Sequence, residues 1–269
     1  MKVSEIAAAL GRFAPPAAAC DWDNVGLLVG RADRETETVY VALDATQEAA
    51  ETAAACGAGL IVTHHPVIFR GIKSVNDRDA EGRLLLYLIQ NDISVYSMHT
   101  NFDSCPGGMA DLVAERLGLR KLAPLEETGY RRDTEEDPEG AAAFGIGFTA
   151  ELPEAVSCES LARLVKERFG LPFAGYFDAG RAVRRLAVCP GSGRGEFQAV
   201  LRSGADCFLT GDMGHHEGLD YTAAGVSLID AGHYGLEHVF VDWAADYLRL
   251  MFPDLTVRTA PRRFPEQIV

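Results

Sequence analysis

All seven histidines of this chain fall in four short polar segments, each at the end of an apolar run. The first is His64-His65, after Ile61-Val62-Thr63 and before Pro66. The second runs His99-Thr100-Asn101-Phe102-Asp103, and the third runs from Gly211-Asp212 to His215-His216-Glu217. The fourth runs from Asp230 through His233-Tyr234-Gly235-Leu236-Glu237 to His238. A single histidine is usually a satisfied core or surface residue. Four loops that together hold every histidine argue for one site. Imidazoles and carboxylates suit zinc, manganese, iron or cobalt. His233 and Glu237 are four apart across a helix start, which puts them on one face. Asp103 follows the strand ending near His99, so its carboxylate should reach the same rim; the competing role is a helix N-cap.

These side chains need elements to present them. Gly59 to Thr63 reads as a buried strand, apolar and rich in β-branched residues, and Pro66 stops it. Adjacent strand residues point to opposite faces. At a strand end the backbone turns, and His64 and His65 could each serve a different metal of a close pair. In open α/β sheets, the rim beyond the strand ends is where ligands bind. Strands are expected at about 38–44, 59–63 and 93–99, and helices at about 3–13 (with Ser4 as N-cap), 47–57, 79–90 and 107–118. This βαβ rhythm favours a mostly parallel sheet covered on both faces. The stretch 120–140 breaks it with charge, Pro and Gly. A second α/β unit follows, with strand signals at 141–151, 183–189, 205–210 and 226–230 and a helix at 158–169. A helix at about 235–251 and a strand at Leu255 to Thr259 close the chain. Leu60 to His65 faintly echoes Phe208 to Asp212, as two similar halves would. The divisions are placed at 1–125 for the first domain, completed by 230–269, and 126–229 for the second.

Other polar residues admit two roles each. His99 could shuttle protons or make a supporting hydrogen bond. His215 and His216 could contact substrate, support the metals or cap a helix. Asp44 could orient a ligand histidine or cap the helix starting near Thr46. Asp23 and Asn24 are turn formers by default and could instead serve a pocket. The run Cys189-Pro190-Gly191-Ser192-Gly193-Arg194-Gly195 lies between a strand and a helix. Its amides and Arg194 could cradle an anion, or its glycines could serve tight packing.

Composition excludes several classes. With 48% hydrophobic and 24% charged residues, the 269-residue chain is ordinary for a globular protein. No apolar run approaches the roughly 20 residues of a membrane span, and no signal-peptide pattern opens the chain, so a cytoplasmic location is expected. The net charge of −14 and the lack of a basic face argue against duplex nucleic acid. Part of that acidity is one block, Asp133 to Glu139, expected as a solvated loop. The six cysteines form no CxxC pair and read as reduced thiols, with Cys105 and Cys189 lying near candidate site loops.

Taken in order, Asp21-Trp22-Asp23-Asn24-Val25-Gly26-Leu27-Leu28-Val29-Gly30, Leu43-Asp44-Ala45-Thr46, Thr63-His64-His65-Pro66 and the three later histidine segments resemble the Nif-three-like family. Its members are also called GTP cyclohydrolase type-two homologues. The resemblance spans almost the whole chain. It implies two interleaved α/β/α-type domains with mostly parallel mixed sheets, and a homohexameric ring. It also implies a dinuclear centre of two divalent ions (zinc, manganese, iron or cobalt) held by His64, His65, Asp103, His233 and Glu237. Segment 120–140 is too short for the insert some relatives carry, so the compact form is expected.

On that ligand set, two divalent ions against Asp103 and Glu237 leave the site net positive, suited to a small anionic substrate. Open coordination positions hold water, whose pKa a divalent ion lowers towards ~7. A metal-dependent hydrolase follows, with His99 as proton carrier and His215, His216 and Arg194 as substrate contacts. The family name points to GTP, opened at C8 of its imidazole ring with release of formate. The alternatives are a phosphoesterase and a non-catalytic metal-binding scaffold or regulatory protein.

Overall fold

The computed structural model describes residues 1–132 and 141–267; the acidic block Asp133 to Glu139 lies outside them. The chain forms two compact units, one of Met1–Phe102 with Phe240–Arg262 and one of Asp103–Val239 with Arg263–Val269. It leaves the first unit and later returns to it, so the two are interleaved in sequence. The divisions fall at 102/103, 239/240 and 262/263, where the sequence reading has 125/126 and 229/230. The early crossing has a structural reason: the segment after Phe102 supplies an edge strand to the second sheet.

The first unit opens with α1 (Val3–Phe13), whose Val3, Ile6, Ala9 and Leu10 are buried on one face. Its N-cap is Lys2 and not Ser4, which lies inside the helix. The Lys2 amide donates to Glu5 Oε2 at 2.7 Å, which satisfies an N-terminal donor without a serine. Then come β1 (Gly26–Val29), β2 (Thr38–Ala42), α2 (Gln47–Ala55), β3 (Leu60–Thr63), α3 (Ala80–Gln90), β4 (Ser94–Ser97) and α4 (Thr100–Ser104). Thr46 caps α2, accepting from the Ala49 amide. β3 runs parallel to both β2 and β4, and all four of its residues are buried. A continuous apolar run is what a strand covered on both faces requires.

In the second unit, α5 (Met109–Leu117), β5 (Lys121–Ala123) and β6 (Glu126–Arg132) precede β7 (Ala141–Ile146) and β8 (Phe148–Val156). α6 (Cys158–Phe169) is capped by Ser157, whose Oγ accepts from the Ser160 amide, and by Gly170 in the left-handed region. β9 (Gly175–Phe177), β10 (Val183–Val188), α7 (Phe197–Ser203), β11 (Cys207–Thr210), α8 (His215–Ala223), β12 (Ser227–Asp230) and α9 (His233–Glu237) complete it. The sheet order is β5-β8-β10-β11-β12-β9, with β10, β11 and β12 parallel and the outer strands antiparallel. β6 and β7 form a separate ribbon. The chain then enters α10 (Val239–Met251) and β13 (Thr256–Thr259), which complete the first sheet in the order β1-β4-β3-β2-β13. Among the described residues no helix is long and apolar enough to cross a membrane.

Parallel registers decide where the polar segments emerge. Ala42, Thr63 and Ser97 lie side by side at the ends of β2, β3 and β4. Asp44, His65 and His99 therefore leave one edge of the first sheet. Val188, Leu209 and Ile229 align likewise in the second sheet. The loops beginning at Cys189, Gly211 and Ala231 share that sheet's carboxyl edge.

Candidate metal centre

In the first unit, the turn after β3 solves the problem of two adjacent histidines. The His64 and His65 amides both donate to Leu43 O, at 3.2 and 3.1 Å. Thr63 Oγ1 donates to His65 O at 2.8 Å, which closes the turn. The strand pleat ends there, and the two rings lie together with centroids 5.0 Å apart. His99 joins them, 5.2 Å from His64 and 5.7 Å from His65. One ligand nitrogen from each of the three lies within 4.8 Å of the other two. Phe240 packs on the His64 ring at 5.3 Å, and His64 is fully buried.

Each ring is fixed through Nδ1. His64 Nδ1 donates to Met98 O at 2.7 Å, His65 Nδ1 to Asp44 Oδ1 at 2.7 Å, and His99 Nδ1 to Asp23 Oδ1 at 2.9 Å. A carbonyl or carboxylate oxygen can only accept, so each Nδ1 carries a proton. Metal-binding histidines are held this way, the outer partner setting tautomer and ring orientation. Asp23 is the most constrained of these partners. Its Oδ2 accepts from the Thr100 amide at 3.0 Å and from Thr100 Oγ1 at 2.6 Å. Burial opposes its charge, but the hydrogen bonds from His99 and Thr100 and the charge of His99 outweigh that, and its pKa falls to about 2.

The second unit repeats the device. His233 Nδ1 donates to Asp212 Oδ2 at 2.8 Å, and His233 Nε2 lies 2.9 Å from Glu237 Oε2. Glu237 is buried, and α9 sets the i, i+4 pairing that the sequence spacing predicts. Asp212 holds its histidine from a positive φ of 59°, uncommon for a residue with a side chain. Gly191, at φ +83°, passes so close that a Cβ there would lie 2.6 Å from Glu237 Oε1. Its neighbour Gly193 likewise abuts Thr210, so the glycines of this loop serve close packing. Asp103 is half-buried in α4.

The remaining expected residues sort themselves. His215 and His216 are exposed at the start of α8, ring to ring at 5.3 Å, and belong to no group of three clustered donors among the described residues. Arg194 is exposed, and its Nε donates to Asp212 O at 3.0 Å. It lines a cavity of about 280 Å³ with Phe173, Asp212, Met213, Asp230, Gly232 and Glu266. The thiols are poor ligands here. Burial pushes Cys105 up to about 12, and burial also raises Cys189 well above the usual thiol range. Imidazole nitrogen and carboxylate oxygen are thus the donors at hand, a set that fits zinc, manganese, iron or cobalt. Sequence reasoning read Asp23 as a turn former that could serve a pocket and did not single out Asp212 as an orienting group. For Asp212 the signal was an acidic residue two places past a strand end.

Known proteins share both the sequence and the fold. A protein from Streptomyces coelicolor named "GTP cyclohydrolase 1 type 2 homolog" is 36% identical over 253 residues, 92% of this chain and 85% of that protein. One of the same name from Clostridium acetobutylicum is 32% identical over 238 residues, covering 88% and 85%. The crystal structure of Staphylococcus aureus protein SA1388 superposes with a TM-score of 0.86 at 28% identity, covering 100% of this chain and 99% of that one. The family model described as Duf34/NIF3 (NGG1p interacting factor 3) matches residues 1–263, and the chain belongs to that family.

Proposed function

We propose that this chain is a metal-dependent hydrolase. Its dinuclear centre would be held by His64, His65, Asp103, His233 and Glu237, and its substrate would be a nucleotide or another small anion. The observation that carries the reading is the orientation of the histidines: His64, His65, His99 and His233 all have Nδ1 tied to a carbonyl or carboxylate, the way an outer partner aims a metal-binding imidazole. Structural histidines have no need of such uniformity. Divalent ions held there would supply Lewis acidity and activated water.

The chain's own residues then divide the work. Asp44 and Asp212 aim His65 and His233, and the Met98 carbonyl aims His64. His99 is the proton carrier in this reading. Asp23 keeps its Nδ1 protonated, so Nε2 is the atom that takes and returns a proton. Its place beside His64 and His65 also suits it as a further nitrogen ligand. His99→Gln separates the two roles: a proton carrier's loss lowers turnover at unchanged metal content, and a ligand's loss lowers both.

The orienting carboxylates Asp23, Asp44 and Asp212 would add to Asp103 and Glu237 in this reading, five negative charges against the four positive charges of two divalent ions. Net positive charge therefore does not recruit an anion; open coordination positions must. The name carried by the curated relatives makes GTP the first substrate to try. Metal content is measured on protein purified without chelator, and GTP is then followed for formate and for phosphate. Formate release that vanishes in His65→Ala supports ring opening, whereas phosphate without formate supports the phosphoesterase reading. Two tightly held metals with no turnover of either kind would make the protein a metal-binding scaffold. The homohexameric ring belongs to the same proposal, and sedimentation velocity checks it.

A further inference from the structure

Two large aromatic side chains stand in water beside the histidine cluster of the first unit. Trp22 is 60% exposed and Phe69 is 46% exposed. Their ring centroids lie 5.9 Å apart, and each lies 6.1 Å from the His99 ring. The backbones that carry them are pinned. Asn24 Nδ2 donates to Ile68 O at 2.7 Å, which ties the residue before Phe69 to the loop holding Trp22. On that loop, Asp23 accepts from Asn24 N at 2.8 Å, from His99 and twice from Thr100, and Cys20 N donates to Thr100 Oγ1 at 2.9 Å. The same carboxylate that aims His99 thus fixes the residue next to Trp22.

Exposed aromatic surface is unfavourable, and holding it in place gives up the freedom that would let it fold away. Large exposed apolar side chains in a fixed pair mark a contact surface. Trp and Phe present flat π faces, and stacking on them discriminates by ring and not by charge. The two rings meet edge to face and leave aromatic surface exposed, which suits the ring of a substrate better than its anionic tail.

We propose that Trp22 and Phe69 form a stacking platform that holds the planar heterocycle of a nucleotide against the His64–His65–His99 cluster. The proposal rests on the metal-centre reading and adds to it the group that reads the base. It assigns the ring of the substrate to Trp22 and Phe69.

Tryptophan emission tests this directly, because the chain holds only two tryptophans. Trp243 packs against Phe13 and Tyr247 and gives the constant background. GTP is titrated into metal-loaded protein, with inorganic tripolyphosphate as the probe lacking a ring. The expected result is saturable quenching by GTP, absent with tripolyphosphate and absent in Trp22→Phe. Phe69→Ala should weaken GTP binding by about 5- to 150-fold, the range for losing one base–aromatic stack, and leave tripolyphosphate unchanged. Both positions are exposed, so the variants should fold, and circular dichroism checks that they do. Equal quenching by the two probes, no quenching by either, or GTP affinity unmoved in Phe69→Ala would overturn the platform. So would Trp22 emission that responds only to protein dilution, which would make the pair an interface between copies. Metal content measured on the same samples keeps the readings apart. Two metals without stacking leaves the centre standing alone, and GTP-specific quenching with fewer than two metals leaves the platform standing alone.

Discussion

Asp23→Asn is the sharpest perturbation of the histidine cluster, because it changes hydrogen-bond polarity at almost constant shape. The wild-type carboxylate only accepts, and among its bonds are those from His99 Nδ1, the Thr100 amide and Thr100 Oγ1. An asparagine must turn its NH₂ towards one side. Facing Thr100, it meets an amide that cannot accept. Facing His99, it forces Nδ1 to become the acceptor and moves the ring proton to Nε2. The second arrangement keeps more bonds, so the variant should settle there. The cost is one charge-assisted bond, roughly 1.5–3 kcal/mol, and a His99 ring whose proton is moved from Nδ1 to Nε2. Loss of an outer-shell partner typically lowers metal affinity or activity by about 10- to 100-fold. Long-range ¹⁵N–¹H spectra of the imidazoles read the tautomer, and competition with a chromophoric chelator reads the affinity. Activity should fall with the tautomer change at every pH where the wild type works. In the wild type, the depressed carboxyl pKa means that the Asp23 contribution is whole above its unfolded value of 3.8 and fades as pH falls to about 2. Asp23→Asn should lack that acid limb. An unshifted His99 tautomer with unchanged metal affinity and turnover would refute the reasoning.

Three further outcomes follow from the geometry. Asp44→Asn and Asp212→Asn should each weaken metal binding by about 10- to 100-fold with little change in melting temperature, as elemental analysis after dialysis would show. Gly191→Ala should cost about 1–2 kcal/mol for the left-handed backbone alone and more for the crowded Glu237, read as a lower denaturant midpoint and reduced metal content. Glu196 is raised to about 7, first by burial and then by the charge of Glu126 and a hydrogen bond with it. Folding therefore favours its protonated form. That stability is present in full below the unfolded value of 4.5 and is lost as pH rises through about 7. Glu196 is part-exposed, so the loss should be on the order of 1 kcal/mol, and Glu196→Gln should flatten stability between pH 5 and 8 in chemical denaturation.

Much of the fold was legible because its buried strands have no alternative. Leu60 to Thr63 is apolar throughout, as a strand between two parallel neighbours must be, and Ser157 with Gly170 bracket α6 at both ends. The strands that escaped are edges or ribbons. Gly26–Val29 is a four-residue antiparallel edge, and Glu126–Arg132 carries charge because it pairs only with β7. Helix α8 escaped because it is short and buries little, chiefly Gly218 and Tyr221. One helix expected at 235–251 is two, α9 and α10, with His238 between them. The halt keeps His233 and Glu237 on a turn of their own.

The site was half legible, and the missing half follows one rule. The histidines declare themselves by being rare and clustered. Their orienting carboxylates do not, since an aspartate after a strand passes for a turn or a cap. Yet Asp44 and His65 are 21 residues apart, and so are Asp212 and His233. In both pairs the aspartate follows one strand and the histidine follows the next parallel strand alongside it, β2 to β3 and β11 to β12. A parallel crossover returns the chain to the same edge, so residues just past two neighbouring strand ends meet whatever lies between them. The echo between the halves is therefore not Leu60–His65 against Phe208–Asp212, the alignment that apolar similarity invites. It is Asp44–His65 against Asp212–His233. Both halves make one oriented imidazole by the same βαβ geometry, and the second adds Glu237 while the first adds two more histidines. The rule that a histidine past one parallel strand takes its acceptor from the end of the strand before it pairs Asp44 with His65 and Asp212 with His233 from sequence alone. Asp23, 76 residues from His99 and on no neighbouring parallel strand, would still have been missed.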